Sequence, residues 1–260
     1  MGDAVAVPLD WYRSGFPPET AKMPWADRTE AEVERATAML RPQGGERVLD
    51  LACGIGRHSR ELRRRGFEVV GVDISPELLE MAEREAAAEG LEISFVEADL
   101  RKLEFEEEFD IVLSLNDGAV GYFETDEENR RTFEVVSRAL RAGGGHLMQL
   151  PNVLHAERNL PAKSWIVGES TLELSDHHWN AEDRYIEGST VPIRFGEVFE
   201  RYEEIPFRQR LYTVEELTEI YDSVGMRLAN TFAGSGKPRV PKPSQFEIFV
   251  EGRKAPADGP

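Results

Sequence analysis

Arg47-Val48-Leu49-Asp50-Leu51-Ala52-Cys53-Gly54-Ile55-Gly56-Arg57-His58-Ser59, followed at a helix's distance by Gly71-Val72-Asp73, is the stretch that decides the fold. Val48 to Ala52 reads as a short buried strand, apolar but for Asp50. Gly54-Ile55-Gly56 is a tight turn. Arg57 to Arg65 reads as a helix stopped by Gly66, and Phe67 to Val72 as a second strand closed by Asp73. A glycine turn between strand and helix lets backbone approach a ligand and aims the helix N–H groups at it. An acid at the tip of the next strand can accept both hydroxyls of a ribose. A nucleoside-bearing ligand across the edge of a parallel sheet is the arrangement these residues describe.

The same rhythm runs outward. Pro76 follows Ser75 as a first helical residue, and that helix runs to about Glu89. Leu91 to Val96, Phe109 to Leu115 and Gly143 to Leu150 read as further strands, with a helix over Asp126 to Leu140. Near-continuous apolar strands alternating with helices predict a parallel sheet covered on both faces. Upstream, Thr29 with Glu32 three residues later suggests a capping box for a helix over Thr29 to Leu40. Residues 152–212 break the rhythm with short alternating stretches and read as an antiparallel insertion. A helix from Thr213 and a strand pair (Met226 to Phe232, Phe246 to Val250) follow. The expected divisions are 1–45, an N-terminal helical cap; 46–153, the core; 154–212, the insertion; 213–252, a helix and strand pair completing the core sheet; and 253–260, a tail.

Two residues choose the nucleoside. The dinucleotide fingerprint is G-x-G-x-x-G, and Ser59 stands at its third glycine. Asp50 would repel a pyrophosphate and attract a cation such as a sulfonium. Here the sequence resembles the class I S-adenosylmethionine-dependent methyltransferases. Asp50 to Ser59 is similar to their first motif, Gly71 to Pro76 to the ribose-binding strand end, and Glu97-Ala98-Asp99-Leu100 to the segment that reads the adenine edge. Phe109 to Val112 is similar to the fourth strand, and Leu140 to Gly144 to the turn before the fifth, with Arg141-Ala142 where Lys-Pro is usual.

The resemblance, which covers about residues 28–150, implies a Rossmann-like three-layer α/β sandwich. Its sheet would have seven strands, mostly parallel with a terminal antiparallel strand, and the antiparallel β insertion would form a substrate lid. S-adenosylmethionine is the implied cofactor and S-adenosylhomocysteine its product. The implied cofactor-binding residues are Trp25, Arg28, Asp50, Ala52, Cys53, Gly54, Gly56, Asp73, Ile74, Asp99, Leu100, Leu115 and Asn116. Arg28 could pair with the donor's carboxylate.

Candidate catalytic residues follow the fourth strand and lie in the insertion: Asn116, Asp117, Tyr122 and His178. No proline follows Asn116 or Asp117, so the Asn/Asp-Pro-Pro-aromatic signature of base-modifying relatives is missing. Gly121-Tyr122 is similar to small-molecule members. A histidine in the insertion, His177 and His178 among them, could take a proton from an attacking hydroxyl or amine. His146, in an apolar strand, reads as a core residue. The run Arg57 to Arg65 reads as a solvated helix face. No metal site is expected, because adjacent side chains at His177-His178 point apart.

With 49 acidic and 31 basic side chains, the formal charge is −18. Such a surface repels nucleic acid and anionic lipid. The single cysteine, Cys53, rules out a disulfide framework. No signal-peptide pattern or spanning run is visible, so a cytoplasmic monomer or homodimer is expected. The expected acceptor is a small molecule. Rival readings are a methyltransferase acting on tRNA, peptide or protein, a nicotinamide-dependent oxidoreductase, and a non-catalytic S-adenosylmethionine-binding module.

Overall fold

The computed structural model describes residues 7–13, 16, 23–116, 118–196, 198–232 and 237–257. Helix α1 (Thr29–Leu40) leads into β1 (Arg47–Leu51), α2 (Arg57–Arg64), β2 (Glu68–Asp73), α3 (Pro76–Ala88), β3 (Ser94–Glu97), β4 (Phe109–Ser114), α4 (Asp126–Ala139) and β5 (Leu140–Pro151). Then come α5 (Val153–Asn159), β6 (Ala162–Val167), β7 (Thr171–Asn180), β8 (Tyr185–Arg194), β9 (Glu200–Arg201) and β10 (Ile205–Arg210). The chain closes with α6 (Val214–Ser223), β11 (Met226–Phe232) and β12 (Glu247–Lys254).

Seven strands form the first sheet in the order β11-β12-β5-β4-β1-β2-β3. The pairs β1·β2, β1·β4, β2·β3 and β4·β5 are parallel, and β12 runs against both its neighbours. Alternate residues feed two cores, as the two-residue period of a strand requires. Val48, Val69, Ile111 and Leu147 pack with Val33 and Ala36 of α1. Leu49, Val70, Val112 and Met148 pack on the other face with Phe133 of α4 and Leu217 of α6. This is the expected three-layer α/β sandwich.

A second, antiparallel sheet runs β10-β8-β7-β6, with β9 on β8. It stands over the C-terminal ends of β1, β4 and β5. Two hydrogen bonds tie it to the segment after β4: Arg210 N–H donates to Gly121 O at 2.8 Å, and the Gln209 side-chain amide to Val120 O at 2.9 Å. A Cβ on Gly121 would lie 2.2 Å from the Arg210 carbonyl, so no larger residue fits that contact. Helix α5 was not legible within the insertion, where it sits between β5 and β6. Among the described residues, no helix is long and apolar enough to cross a membrane.

The start of α1 departs from the expected capping box. A 3-10 turn (Ala26–Arg28) precedes the helix, and the Thr29 hydroxyl donates to Ala26 O at 2.8 Å. Glu32 is instead turned inward to Arg57 and His58. Those two residues are correspondingly buried, so the basic run of α2 is solvated only beyond them.

Candidate active site

A cavity of about 410 Å³ opens where the strand ends of the first sheet meet the second sheet. Its floor is the β1–α2 turn. Ala52 and Gly54 have φ of 53° and 54°. For alanine that left-handed backbone costs ~1–2 kcal/mol, and such strain gathers at functional sites. A Cβ on Gly54 would meet nothing within 4 Å, so this glycine keeps the cavity floor clear. Gly56, with φ 66°, serves packing: a Cβ there would collide with Phe95 at 2.8 Å.

Asp73, at the tip of β2, lines the cavity beside this floor. Its two oxygens accept the Gly54 and Ser75 N–H groups at 2.8 and 2.9 Å. A carboxylate has about four lone-pair positions, so both oxygens keep capacity for a ligand. Ile74, Ser75 and Leu78 continue this wall.

The N-terminal segment supplies the opposite wall through Trp25, Arg28 and Glu32. Arg57 Nη1 donates to Glu32 at 2.5 Å and to Thr29 at 2.9 Å, and its guanidinium lies 5.1 Å from the Trp25 ring. Burial alone would raise the Glu32 pKa. The hydrogen bond from His58 and the charge of Arg57 outweigh that and hold it down to about 2. Arg57 Nη2 is buried without a partner, on a residue that lines the cavity. An unpartnered buried N–H on a guanidinium calls for an acceptor, and a carboxylate oxygen suits it best.

Several expected residues fall elsewhere. Asp50 does not line the cavity. It is buried behind the floor, where the Ser59 hydroxyl donates to it at 2.6 Å, and burial raises its pKa. Its work is to fix the turn to α2, and of these two motif acids it is Asp73 that faces the cavity. Asp99 and Leu100 are also off the wall. Both Asp99 oxygens face the Arg101 guanidinium, at 2.9 and 2.7 Å, which lowers its pKa. A charged donor two residues away shares the carboxylate expected to read the adenine edge.

Strand parity moves the histidine by one place. Glu173, Ser175 and His177 of β7 face the cavity. His178 points outward, half exposed, 3.2 Å from Asp176. His177 lies 5.7 Å from the Phe207 ring, and burial lowers its pKa. Burial thus favours its neutral form, which has a ring nitrogen free to accept a proton.

Asn116, Leu115, Cys53 and Tyr122 line the cavity as expected, and Asp117 lies outside the described residues. Asn116 has φ 51°, and its N–H donates to Gln149 Oε1 at 3.2 Å. The Gln149 amide in turn donates to Glu247. Sequence reading missed Glu32, Arg57, Gln149, Glu173 and Glu247. Gln149 alone left a signal, as a polar residue near the end of a buried strand. It also missed an aromatic wall: Trp11 sits 4.8 Å from Tyr122 and 5.5 Å from Phe207, and its indole N–H donates to Arg208 O at 3.0 Å.

A glycine-floored cleft at the edge of a mostly parallel sheet, with an acid at the second strand tip, defines a nucleoside-binding enzyme of Rossmann-like class. Comparison with known proteins narrows this. Residues 48–144 match the methyltransferase domain family. A putative methyltransferase of Bacillus subtilis, YqeM, is 29% identical over 190 residues, covering 72% of this chain and 75% of that one. The 23S rRNA (uracil(1939)-C(5))-methyltransferase RlmD of Shewanella sp. (strain MR-7) is 39% identical over 99 residues, but these are 38% of this chain and 21% of that one. Among solved structures, an S-adenosylmethionine-dependent methyltransferase from Clostridium acetobutylicum matches with TM-score 0.74 at 17% identity, over 91% of this chain and 96% of that one. The sugar N-methyltransferase KedS8 from Streptoalloteichus matches with TM-score 0.64 at 21% identity, over 98% of this chain and 96% of that one. The chain thus matches a methyltransferase domain over residues 48–144, within a Rossmann-like fold shared with S-adenosylmethionine-dependent methyltransferases of known structure.

Proposed function

We propose that the chain methylates a small-molecule acceptor held in the cavity between the two sheets. The observation that carries this reading is the cavity itself. Its volume of about 410 Å³ falls among small-molecule sites, and the second sheet roofs it. The formal charge of −18 opposes binding of a polynucleotide. KedS8, the sugar N-methyltransferase, shares the fold across nearly the whole chain, whereas the likeness to RlmD stops at about a third of it.

The residues fit the donor. Arg57, Arg28 and Trp25 would hold its methionine end, where the unanswered Nη2 matches a carboxylate. Asp73 would hold the ribose, with Ile74 and Leu78 against the adenine. When bound, S-adenosylmethionine supplies an electrophilic methyl group, so no protein nucleophile is needed. The chain's own residues orient the acceptor and keep water out, and restricting its freedom can be worth up to ~7–11 kcal/mol. His177 would accept a proton from the acceptor. The Asn116–Gln149–Glu247 chain would give the cavity a fixed polar bank. The single thiol, Cys53, suits a cytoplasmic setting.

Incubation with methyl-tritiated S-adenosylmethionine and cell extract tests this. Label should enter the small-molecule fraction. Label recovered in RNA or protein would reject a small acceptor.

A further inference from the structure

Four carboxylates line the cavity: Glu32, Asp73, Glu173 and Glu247. Three are answered within the protein. Glu32 meets Arg57 and His58, Asp73 meets two backbone N–H groups, and Glu247 meets the Gln149 amide. Glu173 is answered on one side only. Its Oε1 accepts the Ser175 hydroxyl at 3.1 Å, while its Oε2 is buried with no partner. Ser175 is itself fixed by Thr190, 3.2 Å away across the β7–β8 pair.

Glu173 sits on the second sheet and lines the cavity from that side, within electrostatic reach of Arg28. It therefore belongs to the acceptor's side of the chamber. A buried carboxylate oxygen without a donor is costly to leave unanswered, and burial pushes the Glu173 pKa up, against the Ser175 bond and the Arg28 charge. The chemistry that answers it is narrow. An anion would be repelled. A hydroxyl would supply the hydrogen bond but leave the charge uncancelled. An alkylammonium group supplies both, as a charge-assisted bond. The apolar surface beside it, from Ile166 across the β6–β7 pair, suits the carbon frame of such a molecule.

We propose that Glu173 is the residue that selects the acceptor, and that it selects molecules carrying a basic amine. This rests on reading the cavity as the acceptor chamber of a methyltransferase. The test is calorimetric titration of the full chain, saturated with S-adenosylhomocysteine, using cyclohexylammonium and the isosteric cyclohexanol. The ammonium should bind at least tenfold more tightly. In Glu173→Gln that preference should fall to within about threefold, with S-adenosylhomocysteine affinity changed less than twofold. Equal binding of the two probes by the natural chain, or binding of neither, would overturn the proposal whatever the variant's stability. A tenfold loss of S-adenosylhomocysteine affinity in Glu173→Gln would also overturn it, assigning Glu173 to the donor. If the natural chain does not bind S-adenosylhomocysteine at all, the underlying reading fails first.

Discussion

Replacing Glu32 with glutamine removes the one carboxylate that, among the described residues, pairs with the buried Arg57 guanidinium, while preserving its shape. Glu32 is 4% exposed and Arg57 6%, so solvent screens the pair little. A carboxylate held at about 2 against an ordinary 4.5 contributes ~3 kcal/mol at neutral pH, at ~1.4 kcal/mol per decade. Removing one partner of a buried ion pair by mutation costs a similar ~3–5 kcal/mol. Because the folded pKa is depressed, this stability is present in full above 4.5 and is lost as pH falls towards 2. Urea denaturation followed by tryptophan fluorescence at pH 7 and at pH 3 measures it. Glu32→Gln should lose ~3 kcal/mol at pH 7, and the gap from the natural chain should shrink at pH 3. A loss under ~1 kcal/mol at pH 7 would refute the claim that this pair holds Arg57 against the cavity.

Asp73→Asn should weaken S-adenosylhomocysteine binding at least tenfold by calorimetry with a small change in melting temperature, since the amide oxygen can still accept one of the two backbone N–H groups. His177→Ala should lower turnover by tenfold or more, and His178→Ala by less than twofold, in a tritium-transfer assay; the reverse order would place the outer face of β7 in the chamber. His146 is buried between Ser114 and Tyr221, at 3.1 and 2.8 Å, and burial depresses its pKa to about 3. It therefore stays neutral in the fold while the unfolded chain takes up a proton below ~6.5, so stability should fall by up to ~1.4 kcal/mol per pH unit between 6.5 and 3. His146→Asn should reduce the slope of denaturation midpoint against pH by that one proton.

The sheet and its cleft were legible because they are local. An apolar strand, a glycine turn, a helix and an acid follow in unbroken order from Val48 to Asp73, and β1, α2 and β2 sit within a residue or two of where that order puts them. What was not legible depends on contacts distant in sequence. Asp50 and Asp99 stand at their motif positions, yet Ser59 and Arg101 occupy them. No motif records a carboxylate's competing partner. Adjacent histidines in a strand cannot be told apart without knowing which face is roofed, and the side chains at 173, 175 and 177 turn inward together. Glu32 looked like a helix cap because capping is read over four residues, while its actual partners are 25 and 26 positions away. Trp11 is buried against Tyr122 and Phe207 from a stretch that periodicity leaves shapeless.

The proposed function requires one chamber to hold a methyl donor against the first sheet and an acceptor under the second. A crystal structure with S-adenosylhomocysteine tests it most directly. Ribose hydroxyls should sit on Asp73, the ligand's carboxylate on Arg57 or Arg28, and the sulfur should face His177 and Glu173 across open space. A ligand lying away from Asp73, or a sulfur facing bulk solvent rather than β7, would contradict it.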